Sequence, residues 1–171
     1  MLRTADEHSV EAQFRLHQTV LRRFLYSMVR DQAQADDLLQ DTFLEACRTP
    51  DRLAEADDPR AWLFAVARRR ALNAHRSTAR FRAAVERFAG RREEHEQTFT
   101  PSADEDAALA LLDVLDPATR SLAILRWVHG FEAQELAELS GRNPAAVRKQ
   151  LERARTKLVE RLGPELEEVT A

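Results

Sequence analysis

The chain has 171 residues, of which 44% are hydrophobic and 32% charged, with a formal net charge of -3; this suits one ordinary domain or two small ones with enough apolar material for a core. Four glycines and six prolines are few for a turn-rich β protein, whereas the abundance of Ala, Leu, Arg and Glu favours helices. No apolar run approaches a bilayer span, the N-terminus lacks the apolar stretch of a signal peptide, and the lone Cys47 excludes an intrachain disulfide, so a cytoplasmic chain without membrane insertion is expected.

In chain order, Phe14, Leu21, Phe24, Leu25 and Met28 recur at helical spacing and predict a helix from near Ser9 to Arg30. A second helix covers roughly 33–48. Asp58 followed by Pro59 reads as an N-cap and first-turn proline for a third, running to about Arg76. Ser77 then caps a short further piece, with Phe81, Val85 and Phe88 on one side and Gly90 as its stop. The polar stretch GRREEHEQTFTPSADEDA has no apolar period and reads as a flexible linker.

Beyond it, Ser102 and Glu105 form a capping box for a helix over 103–115. Asp116-Pro117 opens a helix ending near Gly130, and a shorter one follows over 132–140. After the turn Gly141-Arg142-Asn143, Pro144 starts a last helix that runs to about Leu162, where Gly163-Pro164 halts it. No strand signal competes. The expected fold is all-α: two small helical domains, 1–90 and 103–165, joined by a linker over 91–102, with a tail over 166–171.

Charge is segregated along this scheme. Residues 31–58 hold nine acids against two arginines, and 60–92 hold ten arginines against one glutamate. Residues 93–116 hold eight acids and no base, and 142–161 hold seven bases against two acids. Two basic islands separated by an acidic spacer suggest two surfaces that meet a polyanion, although solvated helix faces would also produce such a pattern.

The segment FEAQELAELSGRNPAAVRKQLERARTKL has the layout of a helix-turn-helix. Leu136, Ala137 and Leu139 give its first helix an apolar side. On the second, Val147, Leu151, Ala154, Leu158 and Leu162 form one stripe, with Arg148, Lys149, Glu152, Arg153 and Thr156 opposite. Ala145, Arg148, Lys149 and Glu152 would reach base edges in a major groove, while Arg142, Arg153 and Arg155 hold phosphates. A structural helical hairpin with a charged exterior is the plainer alternative.

On the second helix of the N-terminal half, Leu38, Leu39, Thr42, Phe43 and Ala46 group on one side, and Asp37, Gln40, Asp41, Leu44 and Glu45 face away. Leu44 amid acids suits docking onto a basic protein surface. On the third, Trp62, Leu63, Val66, Ala67 and Ala74 point inward, and Arg68, Arg69, His75 and Arg76 outward. Arg70 falls within the apolar arc and must snorkel or pair with an acid. Phe64 sits at the border, equally placed to pack or to stack on an unpaired base beside the arginines, as single-stranded nucleic acid requires. For Trp62 core filling is preferred, and Cys47 is expected at a core edge beside Phe43.

AQADDLLQDTFLEA, then PRAWLFAVARRRALNAHR, then the linker and the helix-turn-helix resemble the extracytoplasmic-function sigma factors of bacteria, from about Phe14 to Leu162. Ala35, Asp36, Asp37, Gln40, Asp41 and Phe43 meet one family pattern. The run at 62–67 meets a second, and the ELA…G…V…L-x-R-A-R-x-x-L series ending at Leu158 a third. The resemblance implies sigma regions two and four and, as partners, RNA polymerase core (its β′ coiled coil and β flap) and promoter DNA. Asp37, Gln40, Asp41 and Leu44 would face the polymerase. The loop 49–59 and the helix after it, with Arg60, Phe64, Arg68, Arg69, His75 and Arg76, would recognise and open the minus-ten element. Arg142, Ala145, Arg148, Lys149, Glu152 and Arg153 would read the minus-thirty-five element.

Family members are often held by an anti-sigma factor, though no residue here identifies one. The chain departs from the family at Arg69, where Asn is common, at Asn73 for Asp, at Ala145-Ala146 for Gly-Thr, and at Gln150 for a frequent arginine. No enzyme is expected: the five histidines lack metal spacing, Cys47 has no sequence-evident base, and no cofactor or nucleotide motif is present. The rivals are a stand-alone helix-turn-helix regulator of duplex DNA and a helical adaptor that binds only proteins. The acidic stretches should repel DNA until a partner neutralises them, so the free full-length chain is expected to bind promoters poorly in a gel shift; tight sequence-specific retardation would contradict this.

Overall fold

The computed structural model describes residues 9–85 and 102–163, the side chains of 80–85 excepted. They form two compact, wholly helical units, 9–85 and 102–163. The readings of Phe81, Val85, Phe88 and Gly90, of the linker and of the tail fall outside the described residues.

In the first unit, α1 spans Val10–Val29, and Ser9 caps it by accepting from the Ala12 N–H. It ends at Arg30, a non-glycine residue in the left-handed region at φ 56. Asp31 immediately caps α2, Gln32–Arg48, by accepting from the Gln34 N–H at 2.9 Å. A five-residue helix, α3, spans Pro50–Ala54 inside what the sequence suggests is a plain loop, and Leu53 from it is fully buried. The longest element, α4, spans Pro59–Val85 without interruption. The expected stop near Arg76 with a cap at Ser77 is therefore wrong. Ser77 can sit inside a helix at small cost when neither Gly nor Pro follows to break it.

α1, α2 and α4 pack around one core. Leu21, Phe24, Leu25 and Met28 come from α1, and Leu38, Leu39, Phe43 and Ala46 from α2. Leu63, Phe64, Val66, Ala67 and Ala71 come from α4. The Phe24 and Phe64 rings meet edge to face, centroids 5.5 Å apart, and Phe14 meets Phe43 the same way at 4.6 Å; such pairs add about 0.5–1.5 kcal/mol beyond area burial. Cys47 is exposed rather than at the core edge, since it follows Ala46 by a single helical step.

In the second unit, α5 spans Ala103–Leu111, opened by the capping box of Ser102 and Glu105, and passes into a 3₁₀ turn at Leu112–Val114. α6 spans Pro117–Trp127, α7 Ala133–Ser140 and α8 Pro144–Leu162. Gly141, at φ +65, ends α7 in the left-handed conformation that only glycine adopts cheaply, and Asn143 caps α8 two residues later. Leu122, Ile124, Leu125, Phe131, Leu136, Val147 and Leu151 make the core. Arg120, 8% exposed, is tolerated there because it donates to the Leu115 carbonyl and pairs with Asp113 at 3.1 Å.

Phe24→Ala is expected to lower the stability of the first unit by about 3–5 kcal/mol in urea unfolding. Leu16→Ala, at a site 68% exposed, should change it by no more than about 0.5 kcal/mol.

Candidate nucleic-acid interface

The α2 strip is built as the periodicity predicts: Asp37, Gln40, Asp41 and Leu44 are all exposed, Leu44 at 49%. Glu45 departs from it. It crosses to α4 and accepts from Arg69 and, at 2.7 Å, from Arg70. This is the acid that Arg70 requires within its apolar arc. Burial pushes the Glu45 carboxyl up, but hydrogen bonds and charge from Arg69 and Arg70 outweigh it and hold the group below the ordinary carboxylate range.

α4 presents a different outer face from the one expected. Phe64 is fully buried against Phe24, with the Arg60 guanidinium 5.5 Å from its ring centroid, so its ring is not available to stack on a base. The correction has a geometric reason: Ala71 follows Phe64 by seven residues and points the same way, about 20° around, and it too is fully buried. His75 is also turned inward. Its ring Nε2 lies 2.7 Å from the Met28 carbonyl in the last turn of α1, where it donates to the helix end.

Trp62, expected in the core, is only half-buried, and so is Ala74. Arg69 and Arg76 follow Trp62 at seven-residue intervals, so the three share a stripe within about 40° of arc. Arg69 and Arg76 are exposed, with Asn73 exposed and Leu72 half-buried beside them. Arg76 reaches the Asn73 side chain at 3.4 Å. Arg68 is half-buried on the flank. The outer face of α4 is thus an indole with two cations below it, and the seven-residue spacing was the signal that could have found it.

Arg60, in the first turn of α4, lies about 160° around the helix from Trp62, on the side of Phe64. It faces His17 of α1, whose pKa is lowered by burial and by Arg60, against an opposing effect of Asp58.

In the helix-turn-helix, Arg142, Ala145, Arg148, Lys149, Glu152 and Arg153 are all exposed, while Val147, Leu151 and Ala154 are buried beneath them. The stripe Arg148, Lys149, Glu152 and Arg153 is one contiguous polar face of a 19-residue helix. Of the expected apolar residues, Leu139, Leu158 and Leu162 are half-buried rather than fully so. Among the described residues no group of acidic, histidine and cysteine side chains could hold a metal ion, and no helix is long and apolar enough to cross a membrane.

Two family models match the chain: Sigma-70 region 2 over residues 13–81, and Sigma-70, region 4 over residues 105–158. The RNA polymerase sigma factor CarQ of Myxococcus xanthus is 35% identical over 170 residues, covering 94% of this chain and 93% of CarQ. Some other curated relatives are longer, and the chain spans about half (54%) of their length. A solved structure of the sigma factor RpoE with the anti-sigma factor NepR, from Bartonella quintana, has the same fold, with 24% identity and a TM-score of 0.73. That likeness covers 91% of this chain and 97% of the other. CnrH, solved in complex with the cytosolic domain of CnrY, is 25% identical with a TM-score of 0.64, over 93% and 94% of the two chains.

Because the folded Glu45 carboxyl is held below its unfolded value, its bridge should contribute fully above about pH 5 and fade as the pH falls through the folded value. Glu45→Gln is therefore expected to cost roughly 1–3 kcal/mol at pH 7, and the gap from wild type should narrow toward pH 3 in denaturant titrations. A pH-independent gap would show that the charge of Glu45 contributes nothing.

Proposed function

Since the chain belongs to the extracytoplasmic-function group of the sigma-70 family, non-enzymatic factors that bind RNA polymerase and promoter DNA to initiate transcription, we propose a division of that work between its two units. The first, sigma region two (1–90), docks on polymerase and captures the opened minus-ten element. The second, sigma region four (103–165), reads the minus-thirty-five element in duplex form. Residues 91–102 form the linker between them.

Asp37, Gln40, Asp41 and Leu44 are the polymerase-facing residues, meeting the β′ coiled coil; the second unit meets the β flap. An exposed leucine among carboxylates suits a basic partner with an apolar recess. On the DNA side, Trp62 takes the role that the sequence left open for Phe64. Arg76 and Arg68 hold phosphates, with Arg60 in the first turn of α4, while Arg69, expected among them, is already paired with Glu45. Arg142 and Arg153 hold duplex phosphates, while Ala145, Arg148, Lys149 and Glu152 reach base edges.

The observation that carries this reading is the two-sidedness of α4, which buries Leu63, Phe64 and Ala67, leaves Trp62 half-buried and turns Arg69 and Arg76 to the surface. Opening duplex costs about 1.4 kcal/mol per base-pair step, and stacking an unpaired base on a ring returns about 1–3 kcal/mol. The sequence has no GxxxxGK[ST] phosphate loop that would couple ATP to the opening, so the opened state is captured as it appears. The likeness to sigma factors solved with NepR and CnrY supports an anti-sigma factor as a further partner, in the cytoplasm. A stand-alone duplex-DNA regulator would have no use for the α2 strip or the α4 face.

Added to bacterial core polymerase in run-off transcription, the chain is expected to direct initiation from a defined set of genomic start sites. Trp62→Ala should reduce permanganate-reactive thymines in the open complex at least tenfold, roughly the worth of one stacked base, while closed-complex binding stays within about twofold; Arg76→Glu should weaken both stages alike. Equal loss at both stages from Trp62→Ala would remove the proposed role of α4 in strand capture.

A further inference from the structure

Beneath the DNA-facing surface of the second unit runs a directed chain of hydrogen bonds. Asp116 caps α6: one carboxylate oxygen accepts from the Thr119 N–H at 3.1 Å and the other from the Thr119 hydroxyl at 2.5 Å. The Thr119 oxygen accepts from Gln150 Nε2 at 2.7 Å, and Gln150 Oε1 accepts from Arg142 Nη1. The amide orientation of Gln150 follows from its neighbours. An arginine can only donate, so the amide oxygen faces it. The Thr119 proton already goes to a carboxylate, so the threonine oxygen faces an N–H.

Three donors therefore point the same way, from the turn of the helix-turn-helix, across α8, to the cap of α6. Bonds aligned in this sense polarise one another. Burial pushes the Asp116 carboxyl up, but hydrogen bonds from the Thr119 hydroxyl and from backbone N–H groups more than offset it, holding the anion at the end of the chain.

The relay lies along a cleft of about 500 Å³ between α6 and α8, whose lining includes Arg142, Lys149, Arg153 and Lys157. Of these, Arg142 sits on the turn, exposed, where an unrestrained side chain would lose up to about 2 kcal/mol of rotamer entropy on fixing one geometry. Only one N–H of its guanidinium is used by Gln150; the others remain for a ligand.

We propose that Gln150 is a positioning residue for promoter binding: anchored to Asp116 through Thr119, it presets the Arg142 guanidinium at the cleft for a backbone phosphate of the minus-thirty-five duplex. Gln150 itself is half-buried and acts through Arg142. This rests on the reading of α8 and its turn as the duplex-facing surface.

The test uses holoenzyme, core polymerase plus the full chain, binding promoter duplex across a series of KCl concentrations. Gln150→Met, which keeps chain length but neither hydrogen bond, is compared with Arg142→Ala and with the double variant, with thermal unfolding of each chain as a control. Each single change is expected to weaken closed-complex binding roughly three- to tenfold and to lower the salt slope by about 0.9, one phosphate contact. The double variant should be no worse than Arg142→Ala alone. If Arg142→Ala weakens binding but Gln150→Met leaves affinity and slope untouched, or if the two losses multiply, the positioning role is overturned. If Arg142→Ala is itself silent, the duplex-facing assignment of Arg142 fails, and the positioning role with it. Should Gln150→Met lower the melting temperature, Gln150→Ala is read in the same cycle, where loss of effect in the Arg142→Ala background still separates positioning from general destabilisation.

Discussion

One carboxylate ties two packed helices of the N-terminal unit together. Glu45 leaves the exposed strip of α2 and answers two arginines that are neighbours in the chain. Consecutive helical residues lie about 100° apart, so Arg69 and Arg70 straddle the seam between α2 and α4. An acid bound to both at once secures the rotation of α4 about its axis that the buried Phe24–Phe64 contact sets. It also joins α2 to α4 at the residue next to Leu44, between the two surfaces proposed for polymerase and for DNA.

Much of this was legible in the sequence, and the failures have a common origin. The helix starts at Ser9, Ser102, Asp116 and Asn143 were readable because capping is local chemistry, written within three residues. The α2 core face was readable because five apolar or small residues agree on one direction. On α4 the arginine run 68–70 spreads charge over more than half the circumference. Periodicity therefore leaves Phe64 at the border between packing and stacking, and the preference for Trp62 in the core is not met, since it is half-buried. Tertiary partners settled the matter: Phe24 and Phe64 fill each other's space, and His75 answers an open carbonyl at the end of α1. Neither partner can be inferred from α4 alone. The same holds for α3, whose single buried anchor, Leu53, leaves almost no periodic signal, and for Ser77, which looks like a cap only if the helix is assumed to stop.

The two units reach their electrostatic order by different means. In the first, arginines are held by a shared carboxylate at the surface seam. In the second, Arg142 is held by an amide, and the charge that anchors it lies two hydrogen bonds further on, at Asp116. A direct ion pair would have cancelled the field of Arg142 where a phosphate should meet it. A neutral amide orients the guanidinium and leaves its charge intact. In the proposed arrangement the glutamine at position 150 orients the one cation, Arg142, that meets the phosphate.

An acidic protein with basic faces poses no electrostatic contradiction, because screening confines each surface charge to about 8 Å at physiological ionic strength. What matters is whether a face prefers one state of the DNA. Cations such as Arg76 bind phosphates in duplex and in separated strands alike, and a contact equal in both states shifts no equilibrium. The indole of Trp62 is different, since its stacking surface is useful only to a base that has left the helix. The energy of one such stack, about 1–3 kcal/mol, is comparable to the roughly 1.4 kcal/mol lost per opened step. In the proposed mechanism the arginines of α4 therefore supply residence on the DNA, and the Trp62 ring supplies the bias toward the open state.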